Sequence, residues 1–178
     1  MADTTTKMWG IGGRTITVAV TRAIAAAGDY TAEDVVSDSA TAGTAITFDG
    51  ICKGLGGAGY IKNASILCSQ TGLTCGLRLY LYRVTPTAGA LNDNVANTSV
   101  HTTDRPNYVG YINFVAMSDK GGNSETISTP STTTSGLPLA FNCASGDDAL
   151  YGILVALDAE TAETAGMTMV ISLTSEIQ

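Results

Sequence analysis

Charged side chains are scarce in this sequence. Asp, Glu, Lys and Arg make up 14% of its 178 residues, against roughly 25% in an ordinary globular domain. Lys and Arg number 9 against 16 Asp and Glu, so the formal net charge is −7. Phosphate backbones and anionic membranes repel such a chain, and no segment concentrates its basic residues. Neither nucleic acid nor a membrane is therefore expected as a partner.

Long apolar runs are also missing. No segment approaches the ~18 consecutive apolar residues of a membrane span. The first residues, MADTTTKMWGIGGRT, contain no basic segment followed by an apolar one, so no secretory signal is predicted. We therefore expect the chain to fold in a cytoplasm.

Residues suited to catalysis are few. His101 is the only histidine, and it lies in a polar segment of a sequence that contains no G-x-S-x-G nucleophile motif. The glycines at 54, 56 and 59 have G-x-G-x-x-G spacing, but β-type residues follow them where a nucleotide site needs a helix. A turn between strands is the better interpretation, and no cofactor is predicted.

Paired carboxylates are the groups that glycoside hydrolysis and cation binding both require. The candidates are Glu33/Asp34, Asp147/Asp148, Glu160/Glu163 and Asp93. Trp9 is the only Trp, so the aromatic platforms of a sugar-cleaving cleft are lacking. Asp93 with loop carbonyls could hold a structural cation, although turn-forming side chains are the default at such positions. No catalytic residue and no metal ligand is predicted.

Four cysteines, Cys52, Cys68, Cys75 and Cys143, are irregularly spaced, without a C-x-x-C pair. A zinc site needs closely placed pairs of ligands, so the main interpretation is free, partly buried thiols. The alternative is a disulfide between Cys68 and Cys75 across a hairpin, formed after release into an oxidising medium.

Alternation of apolar and polar residues is the dominant pattern, and it predicts β-strands. It is clearest at residues 77–82, where Leu77, Leu79 and Leu81 alternate with Arg and Tyr. The Leu side chains should face the core, and the Arg and Tyr side chains should face outward or a second layer. Further strands are predicted at residues 15–22, 35–36, 45–48, 60–68, 108–115, 125–128, 150–157 and 167–173.

The strands predict an all-β fold, an antiparallel β-sandwich of jelly-roll or Greek-key type. No segment shows a helical period beyond one turn, at 23–27 or 159–165. Aromatic residues make up only 6% of the chain, so aliphatic residues must fill the core. We predict a single domain at residues 15–178, preceded by an N-terminal arm at residues 1–14.

Partner contacts are predicted in the arm and in two polar loops, residues 84–107 and 121–136. Met8, Trp9 and Arg14 are the candidate contact residues, because Trp is a strong anchor type at protein interfaces. The alternative for residues 1–14 is a disordered tail.

Several segments together resemble a family of small virion proteins of tailed bacteriophages, often encoded near the major capsid protein. These segments are VTR at 20–22, GDYTAEDVVS at 28–37, AITF at 45–48, GYI at 59–61, LRLYLY at 77–82, PT at 86–87, DN at 93–94 and YVGYINF at 108–114. Residues 23–27, AIAAA, replace the usual Pro-containing stretch, and the resemblance ends at Phe114. Some decoration (cement) proteins of these phages are jelly rolls that sit as trimers on the shell.

The resemblance implies a non-enzymatic virion protein that decorates the capsid. Its expected partners are the major capsid protein and further copies of itself, such as a trimer, and its expected location is the capsid surface. One alternative is another virion component: a head-fibre base, neck or tail protein. A second alternative is a carbohydrate-binding adhesion module, in which Tyr80, Tyr82, Tyr108 and Tyr111 would form an aromatic patch.

Overall fold

Ten β-strands provide nearly all the regular structure of the described chain. The structure is a computed structural model that describes residues 14–71, 73–87, 91–101, 103–131, 134–161 and 166–177. The strands are β1 Arg14–Ala23, β2 Ile46–Phe48, β3 Ala58–Cys68, β4 Leu77–Tyr82, β5 Tyr108–Phe114, β6 Ser118–Asp119, β7 Ser124–Ser128, β8 Leu139–Asn142, β9 Leu150–Ala156 and β10 Thr168–Ile177. Two short 3-10 turns, Ser99–His101 and Arg105–Asn107, lie in the connection between β4 and β5.

The strands form two antiparallel sheets. The first has the order β1-β10-β3-β7-β6, and β8 pairs with β3 beside β7. β8 pairs with the first half of β3, and β7 pairs with its second half. The second sheet has the order β2-β9-β4-β5.

The pairing of these strands is nested. β1 pairs with β10, β2 with β9, β3 with β8 and β4 with β5. A chain that pairs its first strand with its last, and continues inward in this way, is one long hairpin wound into two packed sheets. That connectivity defines the jelly roll. The predicted all-β sandwich is confirmed, and of its two proposed types the chain adopts the jelly roll.

The main core lies between the sheets and follows the predicted alternation. Ile16, Val18 and Val20 of β1 point inward, and the leucines of β4 are fully buried. β10 continues this pattern beyond the predicted end at residue 173, because Ser175 and Ile177 are also buried. The Ser175 hydroxyl donates to the carbonyl of Ile51, which satisfies the one polar side chain in that row.

A second, smaller core covers the outer side of the second sheet. Tyr80, Tyr82, Ile153 and Val155 point away from the main core and pack against Val35. Val100 and its neighbours in the 84–107 segment add to this cluster, so part of the predicted loop is a packed third layer. The Arg and Tyr side of β4 therefore faces this third layer. A covering layer on that side is one of the two environments that the sequence predicts, the other being solvent.

Some predicted elements are wrong or incomplete. Residues 35–36 form a single bridge, Val35 to Val155, rather than a strand. β8 was not predicted at all. The hairpin proposed to bring Cys68 and Cys75 together does not exist, because β3 and β4 belong to different sheets. All four cysteines are buried thiols outside any disulfide, in line with the main interpretation.

The N-terminal boundary stays a prediction. Residues 1–13 lie outside the described residues, and β1 begins at Arg14, the last residue assigned to the arm. Within the described ranges, no helix has the length and apolar character needed to cross a bilayer.

Candidate functional site

The outer face of the first sheet is broad and carries few charges. Its outward side chains are mostly uncharged, and Thr and Ser are the commonest among them: Thr15, Thr17, Ala19, Thr21, Tyr60, Lys62, Ser65, Leu67, Glu125, Ile127, Val170, Ser172, Thr174 and Glu176. Register aligns them in rows across the sheet, and the central row contains Ala19, Ser172, Ser65 and Ile127. Four long or medium strands, β1, β10, β3 and β7, contribute to this regular β-surface.

Most of the charge on this face is already compensated. Lys62 Nζ lies 3.2 Å from Glu176 Oε2, and Glu125 is the third charged side chain. Leu67 and Ile127 add apolar surface, at 45% and 49% exposure. A protein partner could cover such a face while desolvating few charges, which is the main cost of burying polar surface.

The predicted contact residues are only partly placed. Met8 and Trp9 lie outside the described residues. Arg14 is exposed at the start of β1, where it pairs with Ile177, so it stands at a corner of the first sheet. Sequence reasoning missed the sheet face itself, although the run of Thr and Ala on the polar side of β1 was a signal for it.

The second sheet carries a pocket at its outer edge, which we call the tyrosine pocket. Its lining residues come from β4, β5 and the segments that cover them: Glu33, Arg78, Tyr80, Asn97, Val100, Tyr108 and Tyr111. The pocket has a volume of about 410 Å³. Three of the four tyrosines predicted to form a patch line it, whereas Tyr82 is fully buried beneath Tyr108, with ring centroids 5.6 Å apart.

Arg78 organises the polar wall of the tyrosine pocket. Its Nη1 donates to Glu33 Oε1 and to the Tyr80 hydroxyl, both at 3.1 Å, and its Nε donates to Asn113 Oδ1 at 2.7 Å. The guanidinium lies 4.7 Å from the centroid of the Tyr111 ring, a cation–π geometry. These contacts hold Arg78 in one conformation and leave Tyr111 41% exposed.

Two tyrosines near this pocket resist ionisation. Burial raises the pKa of Tyr82 and of Tyr108 from 10.0 to about 12. Each phenol is neutral in the folded protein at a pH where it ionises in the unfolded chain. Their contribution to stability is therefore complete below pH 10.0 and is lost as the pH rises through about 12. We expect the unfolding free energy from urea titrations to fall across that interval.

The matched variant for this pH dependence is Tyr82→Phe. It removes one of the two shifted phenols together with the 2.7 Å hydrogen bond to Ser99. The variant should be less stable at neutral pH, and its stability should fall less steeply in the alkaline interval. An identical slope in variant and wild type would contradict the assignment.

Three of the acidic candidates, Asp34, Asp147 and Glu160, accept hydrogen bonds from neighbouring groups of the chain. The Asp34 carboxylate accepts from the backbone N–H and the hydroxyl of Thr31, at 2.6 and 2.8 Å. Glu160 accepts from the N–H groups of Thr74 and Cys75, at 2.6 and 2.9 Å. Asp147 accepts from Tyr151, a bond that lowers the pKa of its carboxyl. Glu163 lies outside the described residues.

Asp93 is also held by donors from the protein. It is 2% exposed, and both of its oxygens accept hydrogen bonds, from Ala27 N, the Tyr30 hydroxyl and Ser37 N. Within the described ranges, no three His, Cys, Asp or Glu side chains are grouped as metal ligands would be. This geometry supports the default interpretation, in which the Asp93 side chain fixes the conformation of the loops around it.

The glycine-rich segment forms a turn, as predicted. It joins β2 to β3, with Gly54 and Gly56 at positive φ, and it leads straight into a strand rather than a helix. The backbone of His101 lies in the 3-10 turn Ser99–His101.

Comparisons with known proteins return only distant likenesses in fold. No protein-family model and no curated protein sequence matches the chain. A chain of the cyanophage Pam1 capsid asymmetric unit is 12% identical, with a TM-score of 0.36 over 99% of this chain and 94% of that one. A chain of the Kashmir bee virus empty particle is 12% identical, with a TM-score of 0.34 over 97% and 93%.

A third similar structure is Desmodium yellow mottle tymovirus, which is 11% identical, with a TM-score of 0.26 over 100% of this chain and 96% of that one. Identities and TM-scores at this level support no transfer of function. The assignment of the jelly roll rests on the strand pairing of the chain itself.

Proposed function

We propose that this chain is a non-enzymatic virion structural protein, and more narrowly a capsid decoration protein of a tailed bacteriophage. The observation that supports this most directly is the charge-poor outer face of the first sheet. Jelly rolls serve in viral capsids, in lectins and in cupins, so the fold alone does not decide among them. A broad neutral face fits the first of these uses, because it can be covered by protein at little electrostatic cost.

The proposed partner is the major capsid protein. The first-sheet face would lie across neighbouring capsid subunits and add buried area that resists the pressure of packaged DNA. Most of the net charge of −7 lies away from this face, so the exposed remainder keeps the particle soluble. A homo-oligomer, such as a trimer, would make several of these contacts at once and gain from avidity.

The N-terminal arm is proposed to extend the same contact. Arg14 stands at the corner of the first sheet, and residues 1–13 precede it in the chain. Met8 and Trp9 are the proposed anchors, because a Trp that fills a partner's pocket contributes more than most interface residues.

Cryo-EM of virus particles that contain the chain tests its position. Density that repeats with the symmetry of the capsid shell is expected for a decoration protein. Density confined to a vertex, a neck or a tail would replace that assignment with the alternative virion component. Absence of the chain from purified particles, measured by mass spectrometry, would remove the virion role altogether.

A charge placed in the centre of the face should block assembly. Ser172 points outward in the central row of the first sheet, so Ser172→Arg adds a cation without entering the core. Burying that unpaired charge against the shell should lower capsid occupancy by at least about tenfold. Occupancy can be measured by adding purified variants to particles that lack the chain.

The matched control is Thr41→Arg, which adds the same charge in an exposed position of the loop between β1 and β2. Its occupancy should equal that of the wild type. Equal occupancy for Ser172→Arg would show that the first-sheet face is not the contact surface.

A further inference from the structure

The tyrosine pocket has the size and the lining of a ligand site. Small-molecule pockets span roughly 300–1,000 Å³ and combine aromatic walls with a few placed polar groups. This one has about 410 Å³, three tyrosine rings and Val100 as apolar walls, and Glu33, Arg78 and Asn97 as polar groups. A space of this size holds one monosaccharide ring with room for a neighbouring substituent.

Backbone strain at Glu33 is a second, independent observation. Its φ is +69°, in the left-handed region where glycine is the usual residue. The turn around it is fixed by Asp34, whose N–H donates to the carbonyl of Thr31 at 3.1 Å. The strained position places the Glu33 carboxylate 2.9 Å from the Tyr80 hydroxyl and 3.1 Å from Arg78. Strain of this kind concentrates at functional sites.

The charges of the pocket select the class of ligand. Glu33 and Arg78 form an ion pair, so the pocket contributes no net charge and favours neither an anion nor a cation. The pair still offers acceptors on Glu33 and donors on Arg78, and the Asn97 side chain adds an amide. Hydroxyl groups, which both donate and accept, match this combination.

The exposed ring of Tyr111 supplies the apolar part of the site. It is 41% exposed, and Arg78 and Tyr80 hold it in place, with the Tyr80 and Tyr111 centroids 6.3 Å apart. An aromatic face carries partial negative charge, so it packs well against the polarised C–H groups on one side of a pyranose ring. The geometry points to the tyrosine pocket as a binding site for a neutral hexopyranoside, with Tyr111 as its platform and Glu33 and Arg78 as its hydroxyl partners.

The test is saturation-transfer NMR on the full chain with three probes: the methyl glycosides of glucose, galactose and mannose. At least one probe should receive saturation from the protein. Tyr111→Ala should weaken that binding by about tenfold, because it removes the platform. The control is Tyr60→Ala, since Tyr60 has the same 41% exposure but lies on the outer face of the first sheet. Its binding should be unchanged.

A second variant separates binding from folding. Glu33→Gly relieves the positive φ and removes the carboxylate, so the fold should be retained while binding weakens by about tenfold. The site is overturned if none of the three probes binds, if binding survives in both Tyr111→Ala and Glu33→Gly, or if Tyr60→Ala loses it equally. These outcomes leave the proposed virion role untouched, because that role depends on the opposite sheet.

Discussion

Asp93→Ala is expected to destabilise the protein by about 3 kcal/mol or more. The Asp93 carboxylate is buried and accepts from Ala27 N at 2.8 Å, from the Tyr30 hydroxyl at 2.8 Å and from Ser37 N at 2.6 Å. Truncation removes an acceptor that three donors share, two of them, Tyr30 and Ser37, in buried residues, and the loss of a buried hydrogen bond costs about 1–3 kcal/mol. A single domain has only about 5–15 kcal/mol of total stability, so the loss should be obvious in urea denaturation.

The effect should be large because Asp93 joins segments that are far apart in the chain. Ala27, Tyr30 and Ser37 lie between β1 and β2, whereas Asp93 lies between β4 and β5, and its own N–H donates to the carbonyl of Ser39. Together these segments form the third layer over the second sheet. Losing Asp93 should therefore also increase hydrogen exchange in residues 27–38, ahead of global unfolding.

The control for Asp93 is Asp119→Ala. Asp119 is exposed in β6 and accepts one hydrogen bond, from Gly121 N at 2.6 Å. Its loss should change stability by no more than about 0.5 kcal/mol. A similar small effect for Asp93→Ala would mean that water replaces the lost carboxylate, and the third layer would not depend on it.

The strands that could be predicted are those with strict alternation. Residues 16–20 of β1, 77–81 of β4 and 169–173 of β10 have apolar residues at every second position, and this local signal survives without knowledge of the pairing partner. β8 has only four residues, Leu139–Asn142, and is stabilised by pairing with the first half of β3. The sequence shows no local sign of that partner, which lies about eighty positions earlier. Short strands of this kind depend on tertiary pairing rather than on propensity.

β7 shows a different reason for an incomplete prediction. Its inward side chains are Ser124, Thr126 and Ser128, which are polar yet buried. Their hydroxyls donate to backbone carbonyls: Thr126 donates to that of Val115, just after β5, and Ser128 donates to that of Asn113, within β5. Because the inner face of β7 is polar, its sequence lacks the alternation of apolar and polar residues that indicates a strand. The sequence therefore predicts only a short strand, residues 125–128, inside a loop.

The tyrosine pocket could be predicted only in part. The tyrosines of β4 and β5 lie in adjacent strands, so their grouping follows from alternation. Glu33 and Asn97 come from segments folded back over the sheet, and no local pattern predicts that they meet Arg78. The strained φ of Glu33 leaves no sequence signal, because Glu has no preference for that conformation.

The two proposed sites lie on opposite sides of the sandwich, and this arrangement allows both to act together. A chain bound to a shell through the outer face of the first sheet turns the second sheet, with its tyrosine pocket, toward the medium. Many copies on one particle would then present many weak sugar sites, and avidity would compensate for the low affinity of each. The neutral first-sheet face and the polar, aromatic pocket are thus suited to different partners.

Oxidation is expected to join Cys52 and Cys143 in a disulfide. Their Sγ atoms are 3.0 Å apart, and the residues are 4% and 2% exposed. Cys143 N donates to the carbonyl of Gly57, and a Cβ at Gly57 would lie 2.9 Å from Cys52 Sγ, so the thiols are held together by close packing. Sequence reasoning proposed a different pair, because 91 positions separate these two cysteines.

The reaction can be driven with a small disulfide such as cystamine. One protein thiolate attacks cystamine and releases one cysteamine, and the second thiolate then attacks the mixed disulfide and releases another. Two protons leave the protein thiols and two cysteamine thiols form. Burial raises the pKa of Cys143 above its ordinary value, and Cys52 adds to that shift. Because little of the Cys143 thiol is ionised at neutral pH, the reaction should be slow and should accelerate as the pH rises.

The bond should stabilise the fold substantially, because it closes a loop of about ninety residues and so constrains the unfolded chain. A loop of this size predicts a gain of up to about 4.6 kcal/mol, less any strain in the folded state. Mass spectrometry should show the loss of two hydrogens and a cross-linked peptide pair, and the midpoint of thermal unfolding should rise. Cys68→Ser should behave like the wild type and Cys52→Ser should not react in this way. Four titratable thiols after prolonged oxidation, or a link between Cys68 and Cys75, would contradict the pairing.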